Sequence, residues 1–228
     1  MKTLHPTRYR HPRKRRHAIP VLLALAALAV PAAPAPAEDP TELSPWVLLE
    51  KLRDDLQRSG PMTSRFVQTY VPAGFSDGDT ESGHLAMWLP DCLRWSYEQP
   101  QSKSFLVCAG EVYYWSADEP GGRHYKIDAR EEPGVDLLLV PVSTLRQRYV
   151  AASEKQGDGT YAISLATPPA EDGNFRATIR LDPTRTRVTR LEYADDEGNL
   201  TRFALSEYER LSETAVFRPP DGIEWTEE

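Results

Sequence analysis

The residue types that most often carry chemistry are sparse in this chain of 228 residues. Cys92 and Cys108 are the only cysteines, and only two of the five histidines, His84 and His124, lie beyond residue 37. The cysteines do not have the Cys-x-x-Cys spacing of a redox site, and the histidines do not have the spacing of metal ligands. The sequence therefore predicts neither redox chemistry nor a metal site.

Motifs for catalysis give the same indication. The chain has no phosphate-binding loop and no dinucleotide-binding glycine pattern. Acidic pairs such as Glu131-Glu132 and Asp195-Asp196 lie in turn-like segments, which favours solvated side chains over the paired carboxylates of a glycosidase. We expect a protein that is not an enzyme and that has no cofactor.

Charge is unevenly distributed along the chain. Residues 1–37 contain seven basic residues and no Asp or Glu, which leaves 20 basic and 34 acidic residues in 38–228, a net charge of −14. A surface this acidic repels nucleic-acid phosphates and anionic lipid headgroups. The composition therefore excludes nucleic acid as an expected partner.

The first 37 residues have the pattern of a secretory signal peptide. A basic stretch ends at Arg16, an apolar run covers 19–30, and Ala35-Pro36-Ala37 provides small residues at a cleavage site. The apolar run has about twelve residues, which is short for a bilayer span. We predict cleavage near Ala37 and release of residues 38–228 into an oxidising, extracytoplasmic space, with an uncleaved anchor as the alternative.

One amphipathic helix is predicted over roughly 45–58. Ser44-Pro45 fits a helix N-cap followed by proline at the first helical position, and Gly60-Pro61 ends the segment. The apolar positions that recur near helical spacing are Trp46, Leu49, Leu52 and Leu56.

From Thr63 onward the apolar pattern has a period of two, with Gly, Asp, Asn or Pro between short runs. This pattern predicts an antiparallel meander in one domain, 38–228. The apolar run 134–141, between Pro133 and Pro141, predicts a short helix or loop packed on the sheet. The predicted strands are 63–72, 83–89, 92–98, 103–108, 111–116, 123–127, 147–152, 160–166, 175–181, 187–194, 199–207 and 214–218.

The segment 92–108 predicts its own hairpin register. With a loop at 99–101, Trp95 lies opposite Phe105, and one face of the hairpin is strongly apolar. The same register puts Cys92 opposite Cys108. Paired cysteines in an exported chain usually form a disulfide, so we predict a Cys92–Cys108 bond, with two free thiols as the alternative.

One sheet face collects most of the apolar side chains of the predicted meander. The pattern alone leaves two interpretations open, an ordinary core against the helix or the wall of a cavity for an apolar ligand. The residues on this face are Leu85, Met87, Leu89, Leu93, Trp95, Phe105, Val107, Val112 and Tyr114.

Several segments resemble one known family, and they occur in its order. Residues 65–68, Arg-Phe-Val-Gln, match its Phe-x-Gln, and residues 93–100, Leu-Arg-Trp-Ser-Tyr-Glu-Gln-Pro, are similar to its Phe-Arg-Trp-x-Tyr-x-x-Pro. Residues 217–223, Phe-Arg-Pro-Pro-Asp-Gly-Ile, resemble its Phe-x-Pro-Pro-x-Gly-Val ending. Shorter matches are Gly83-His84-Leu85, Val107-Cys108-Ala109-Gly110, Tyr113-Tyr114-Trp115 and Gly198-Asn199. The chain thus resembles the LolA family, the periplasmic outer-membrane lipoprotein carrier proteins.

The resemblance implies a mainly β (α+β) fold, an incomplete antiparallel β-barrel of about 11 strands with a helical lid over a hydrophobic cavity. It implies a monomeric periplasmic carrier that takes acylated lipoproteins from an inner-membrane lipoprotein-releasing ABC transporter to an outer-membrane lipoprotein acceptor. The implied lipid-binding residues are Phe66, Leu85, Met87, Leu89, Leu93, Trp95, Phe105, Val107, Val112 and Tyr114. The implied lid residues are Trp46, Leu49, Leu52, Leu56, Val135, Leu137, Leu138 and Leu139.

One position departs from the family pattern. The family usually has Arg-Pro before the strand that begins Phe-Arg-Trp, and that arginine hydrogen-bonds the lid, whereas this chain has Leu89 before Pro90. The lid is then held by packing, or the chain carries another lipid. A third hypothesis is an envelope module that senses lipid and transfers nothing.

Overall fold

A computed structural model of the chain describes residues 43–127, 136–169 and 173–227. The predicted signal peptide, its cleavage near Ala37 and the lid residue Val135 lie outside these ranges. None of the helices within the ranges has both the length and the apolar composition that crossing a membrane requires.

The described residues contain a twelve-stranded sheet in the order β12-β6-β5-β4-β3-β2-β1-β11-β10-β9-β8-β7. Neighbouring strands are antiparallel except β12, which runs parallel to β6. The sheet is not closed, because β12 and β7 remain its two edges. The expected mainly β fold, an incomplete barrel with a helical cover, is confirmed. The strands are Met62–Val71, Asp79–Trp88, Cys92–Gln99, Lys103–Cys108, Glu111–Ser116, Gly121–Lys126, Val150–Lys155, Tyr161–Ala166, Arg176–Leu181, Val188–Ala194, Leu200–Arg210 and Glu224–Glu227, numbered β1 to β12.

The predicted helix is α1, Pro45–Ser59, which has proline in its first turn and ends at Gly60 with φ +72°. Its buried apolar face consists of Leu48, Leu49, Leu52 and Leu56. Leu48 therefore takes the buried position that the helical spacing predicts for Trp46. Trp46 is only half-buried, and the Arg146 guanidinium lies 5.5 Å from the centre of the Trp46 ring.

Two predicted strands are wrong in part. The first two residues of the predicted strand 147–152 are instead the end of helix α2, Val142–Arg148. This helix follows Pro141 and buries its apolar residues Val142 and Leu145. The segment 214–218 contains a 3₁₀ turn, Ala215–Phe217, rather than a strand. Phe217 is buried there among Ala86, Cys92 and Leu106, on the opposite side of the sheet from α1.

Strand β12 is missing from the prediction because four residues at the end of the chain carry too little periodicity. Its pairing depends on a tertiary contact between Trp225 and Gly122, which are Cα partners in the β12–β6 ladder. A Cβ atom at Gly122 would lie 2.4 Å from the Trp225 ring, so only glycine leaves room for this ring.

The predicted register of the β3–β4 hairpin is confirmed. Trp95 lies opposite Phe105 and Cys92 opposite Cys108. The two cysteines form a disulfide with their Cα atoms 4.3 Å apart, as predicted. A slip of one residue would turn every side chain to the other face, so the apolar pattern holds the two strands in this register.

Candidate functional site

A cavity of about 180 Å³ lies on the concave side of the sheet. Its wall combines side chains from β3 to β6 with side chains from β1, β10 and β11. Because β6 and β10 stand second and ninth in the order of strands, they share one cavity only where the sheet curls strongly. The lining residues are Gln68, Trp95, Tyr97, Phe105, Val107, Val112, Tyr125, Ile127, Leu191, Tyr193 and Phe203.

Aromatic rings build much of this wall. Tyr97 lies edge-on to Phe66, with ring centres 4.9 Å apart, and edge-on to Phe105 at 6.0 Å. Phe66 also packs edge-on against Phe203 at 5.9 Å, which connects β1 to β11. Edge-to-face pairs add to the stability that the buried area provides, so they hold the wall in one shape.

The cavity has a polar end. The Tyr97 hydroxyl donates a hydrogen bond of 2.5 Å to Oε1 of Gln68, and both side chains line this end of the cavity. Burial raises the pKa of Tyr97 far above its ordinary value, so the hydroxyl stays protonated and neutral. Beside it, Lys103 lies 4.7 Å from the centre of the Tyr97 ring and pairs with Glu81 at 2.7 Å.

The core beside the cavity is covered by α1 and by residues 136–140. Leu137 and Leu138 are 1% and 5% exposed and belong to the same continuous core as the buried leucines of α1. The Arg53 side chain of α1 donates a buried hydrogen bond of 3.1 Å to the carbonyl oxygen of Leu137. We call α1 and residues 136–140 the cover.

Comparison with known proteins places this architecture in a family. A family model described as "Outer membrane lipoprotein carrier protein LolA" matches residues 57–217. The chain belongs to the LolA family. An outer-membrane lipoprotein carrier protein of Pseudomonas entomophila (strain L48) is 23% identical over 152 residues, which are 66% of this chain and 72% of that protein. One of Xanthomonas axonopodis pv. citri (strain 306) is 22% identical over 168 residues, 72% of this chain and 80% of that protein.

A solved structure supports the fold alone. The crystal structure of an uncharacterized conserved protein from Thermus thermophilus superposes with a TM-score of 0.51 at 11% sequence identity. The match covers 80% of this chain and 98% of the other, so the likeness in fold extends over most of both proteins.

The structure separates the ten lipid-binding positions that the LolA resemblance implies into three groups. Four of them, Trp95, Phe105, Val107 and Val112, line the cavity. Tyr114 does not line it, because its ring lies between Phe105, 4.8 Å away, and Arg123. The other five are buried in the continuous core that also contains the α1 leucines: Phe66, Leu85, Met87, Leu89 and Leu93.

Among the lid positions that the resemblance implies, Leu49, Leu52, Leu56, Leu137 and Leu138 are buried in that core, while Trp46 and Leu139 pack at its margin. Leu89 is itself buried at 6% exposure. The position where the LolA family usually has arginine therefore contributes packing to the core, whereas the hydrogen bond from Arg53 joins the two parts of the cover to each other.

Seven cavity residues are absent from the sequence-based set: Gln68, Tyr97, Tyr125, Ile127, Leu191, Tyr193 and Phe203. Tyr97 could have been included, since it shares a strand face with Trp95. Leu191, Tyr193 and Phe203 could not, because nothing local indicates that β10 and β11 curl round to meet β4 and β5.

One short sequence pattern in the β1–β2 turn also occurs in hydrolases. Residues 74–78, Gly-Phe-Ser-Asp-Gly, have the Gly-x-Ser-x-Gly pattern of a hydrolase, but they lie in the turn between β1 and β2 and not between a strand and a helix. Ser76 is exposed and hydrogen-bonds Asp77, while His84 and His124 pair with Glu98 and Glu111. The pattern here is a turn sequence. Within the described ranges, no three His, Cys, Asp or Glu residues cluster as metal ligands would.

Proposed function

We propose that this LolA-family chain is a periplasmic carrier that binds the acyl chains of lipoproteins and shuttles them from the inner to the outer membrane. It would receive them from a lipoprotein-releasing ABC transporter and pass them to an outer-membrane acceptor. The observation that carries the proposal is the apolar, aromatic-walled cavity beside a core on which the cover is packed. The names of the two curated relatives support the same cargo.

The cargo requires such a protein for a physical reason. Each buried CH₂ group contributes about 0.8 kcal/mol, so a chain of roughly 16 carbons gains on the order of 12 kcal/mol when it leaves water. A lipoprotein crosses an aqueous space only if its acyl chains stay buried on the way. The predicted signal peptide would direct the chain into the periplasm, where such a carrier acts.

Acyl chains require more room than the cavity offers. Its volume of about 180 Å³ is below the range of roughly 300–1,000 Å³ that is usual for ligand pockets. We infer that an acyl chain enters as the cover moves off the core and exposes the sheet residues beneath it. Those residues include Leu85, Met87 and Leu93, which the resemblance implies as lipid contacts.

The free energy that opening the cover costs is similar in size to the free energy that burying an acyl chain provides. Exposing one buried aliphatic side chain costs about 1.5–3 kcal/mol, so lifting the four leucines of α1 together with Leu137, Leu138 and Val140 costs on the order of 10–20 kcal/mol. Burial of one acyl chain offsets a cost of that size. Binding and release would then lie close to balance, which is what a carrier that must hand over its cargo requires.

The test of acyl binding compares two tryptophans. Purified protein should bind an N-palmitoylated peptide and not the same peptide without the acyl chain, as measured by displacement of a fluorescent hydrophobic dye. Trp95→Glu places a charge in the cavity wall and should weaken binding more than tenfold. Trp88→Glu is the matched control, because Trp88 is 38% exposed and outside the cavity. Equal binding by both variants would rule out this cavity as the acyl site.

Shuttling needs a separate measurement. Donor vesicles that contain a triacylated lipoprotein and acceptor vesicles of different density are mixed with the protein and then separated. Transfer that rises with protein concentration supports the carrier role. Acyl binding without transfer would instead support a module that senses lipid.

A further inference from the structure

The convex side of the sheet, which faces away from the cavity, has two different halves. Over β3–β5 it is covered by the C-terminal segment: Arg94 donates a hydrogen bond of 3.0 Å to the carbonyl oxygen of Val216, and Trp225 packs edge-on against Trp115. Over β1 and β9–β11, several outward-pointing side chains are exposed, among them Val67, Arg190 and Ala204.

The exposed half is built from two neighbouring rows of side chains. One row crosses the paired strands through Val67, Ala204, Arg190, Arg180 and Ala162. The next row runs through Thr69, Arg202, Glu192, Thr178 and Ser164. Most of these side chains are small, so the surface is smooth and the arginines project from it.

We call this surface the arginine face. It consists of Arg176, Arg180, Arg190 and Arg202 together with Val67 and Ala204. The alternate residues of the same strands, such as Ile179, Leu191 and Phe203, are buried on the concave side, so strand alternation directs the arginines outward. Their concentration contrasts with the net charge of −7 of the whole chain.

Stability does not account for this arrangement. Arg180 and Arg190 are direct partners across the β9–β10 ladder, where like charges destabilise the pairing. Within the described ranges, neither lies within ion-pair distance of a carboxylate, although Arg180 interacts with the charge of Asp158 at longer range. Opposite charges or small polar residues would pair more favourably at these two positions.

Beside this pair lies a shallow groove with a partly apolar floor, to which Thr69 and Glu192 also contribute. Val67 and Ala204 contribute to the floor, and Val67 is 47% exposed. Arg190 and Arg202 line the groove, and Arg202 is oriented by a hydrogen bond of 2.7 Å from its Nε to Glu192. An apolar centre bordered by arginines is typical of protein–protein interfaces, and the planar guanidinium group binds carboxylates with two hydrogen bonds.

We propose that the arginine face docks a partner protein that presents carboxylates. The inference rests on the proposed function, under which the carrier meets one protein at each membrane, and it assigns the arginine face to at least one of these encounters. A protein fits better than a bilayer, because the groove accepts a protruding side chain and the planar guanidinium groups can pair with single carboxylates placed opposite them.

The test measures binding to three purified probes at 50 and 200 mM NaCl. They are the periplasmic domain of the inner-membrane transporter, the soluble, unacylated form of the outer-membrane acceptor, and vesicles of phosphatidylethanolamine and phosphatidylglycerol. We expect the wild-type protein to bind at least one protein probe, more weakly at the higher salt concentration. Arg190→Glu should weaken that binding at least tenfold at 50 mM NaCl.

Two further variants control for charge and folding. Arg218→Glu makes the same charge change at an exposed arginine of the C-terminal segment and should leave binding unchanged. Arg190→Ser removes the like-charge pair, so it should weaken binding while the melting temperature stays equal to the wild type or rises. If both protein probes bind Arg190→Glu as they bind the wild type, or neither binds the wild type, the proposal is wrong.

A loss confined to the vesicles would also overturn it, because the arginine face would then contact lipid. Displacement of dye by the palmitoylated peptide is measured on the same variants and should be unchanged. Failure of the wild-type protein in that assay counts against the carrier function alone.

Discussion

Arg53 and Leu137 are 84 positions apart in the chain, yet Nη2 of Arg53 lies 3.1 Å from the carbonyl oxygen of Leu137. The hydrogen bond is buried and connects α1 to the 3₁₀ turn Asp136–Leu138. The two elements of the cover are therefore joined by a polar contact as well as by their leucines. Opening one element separately would leave a buried carbonyl without its donor, so we expect the cover to move as a unit.

We predict that Arg53→Met loosens the cover. The variant keeps most of the side-chain volume but leaves the Leu137 carbonyl without this donor, which costs about 1–3 kcal/mol of unfolding free energy. Hydrogen exchange in α1 should become faster. Arg58→Met is the control, since Arg58 lies on the exposed side of the same helix and pairs with Asp55. Equal exchange rates in the two variants would show that the hydrogen bond does not hold the cover.

Filling the cavity should block binding without introducing a charge. Val112 lines the cavity and is 2% exposed, so Val112→Trp occupies the space that an acyl chain would take. Overpacking of this kind costs about 1–3 kcal/mol of stability, so the variant should still fold. Dye displacement by the palmitoylated peptide should fall at least tenfold. Val67→Trp, on the arginine face, should bind like the wild type, and equal loss in both variants would argue against a cavity site.

The Tyr97–Gln68 hydrogen bond can be tested by a double-mutant cycle. Gln68→Leu leaves the largely buried Tyr97 hydroxyl without its acceptor and should lower the unfolding free energy by about 1–3 kcal/mol. Adding Tyr97→Phe removes the orphaned hydroxyl, so the double variant should recover part of that loss. Chemical denaturation gives the unfolding free energy of the wild type, the two single variants and the double variant. Strictly additive losses would show that the two side chains are not coupled.

Alkaline pH should destabilise the protein in part through its buried tyrosines. Burial raises the pKa of Tyr97 and of Tyr208 above the ordinary value of 10.0, and the Tyr208 hydroxyl donates to the Val188 carbonyl oxygen. Above pH 10 the unfolded chain loses phenolic protons that the folded protein retains, so the unfolding free energy falls as pH rises. Denaturation between pH 8 and 11 should show a shallower decline for Tyr97→Phe than for the wild type. An identical slope would mean that Tyr97 ionises normally.

The disulfide should contribute to stability through the unfolded state. Cys92 and Cys108 are 16 positions apart, and closing a loop of that length contributes about 3 kcal/mol. The double variant Cys92→Ser, Cys108→Ser should lose about this much unfolding free energy and become insensitive to reductant. A reductant effect on that variant would show that the effect does not come from the disulfide.

Local pattern is sufficient for part of this structure. The β3–β4 register and the disulfide can be predicted because the two strands are adjacent in sequence, so a short loop and an apolar face leave one good pairing. Helix α1 can be predicted from its spacing and its proline, although Leu48 and not Trp46 completes the buried face. Local pattern does not predict the turn at Ala215–Phe217 or strand β12, because each depends on packing against strands that are distant in sequence.

The sequence by itself determined which side chains share a strand face and the resemblance to the LolA family. Only the tertiary structure decided that Trp95 and Val112 line the cavity while Leu85 and Leu93 are packed in the core. Alternation along a strand reports the side of the sheet to which a residue points. It does not report how far the sheet curls or what is packed on it, and those depend on contacts between residues far apart in the chain.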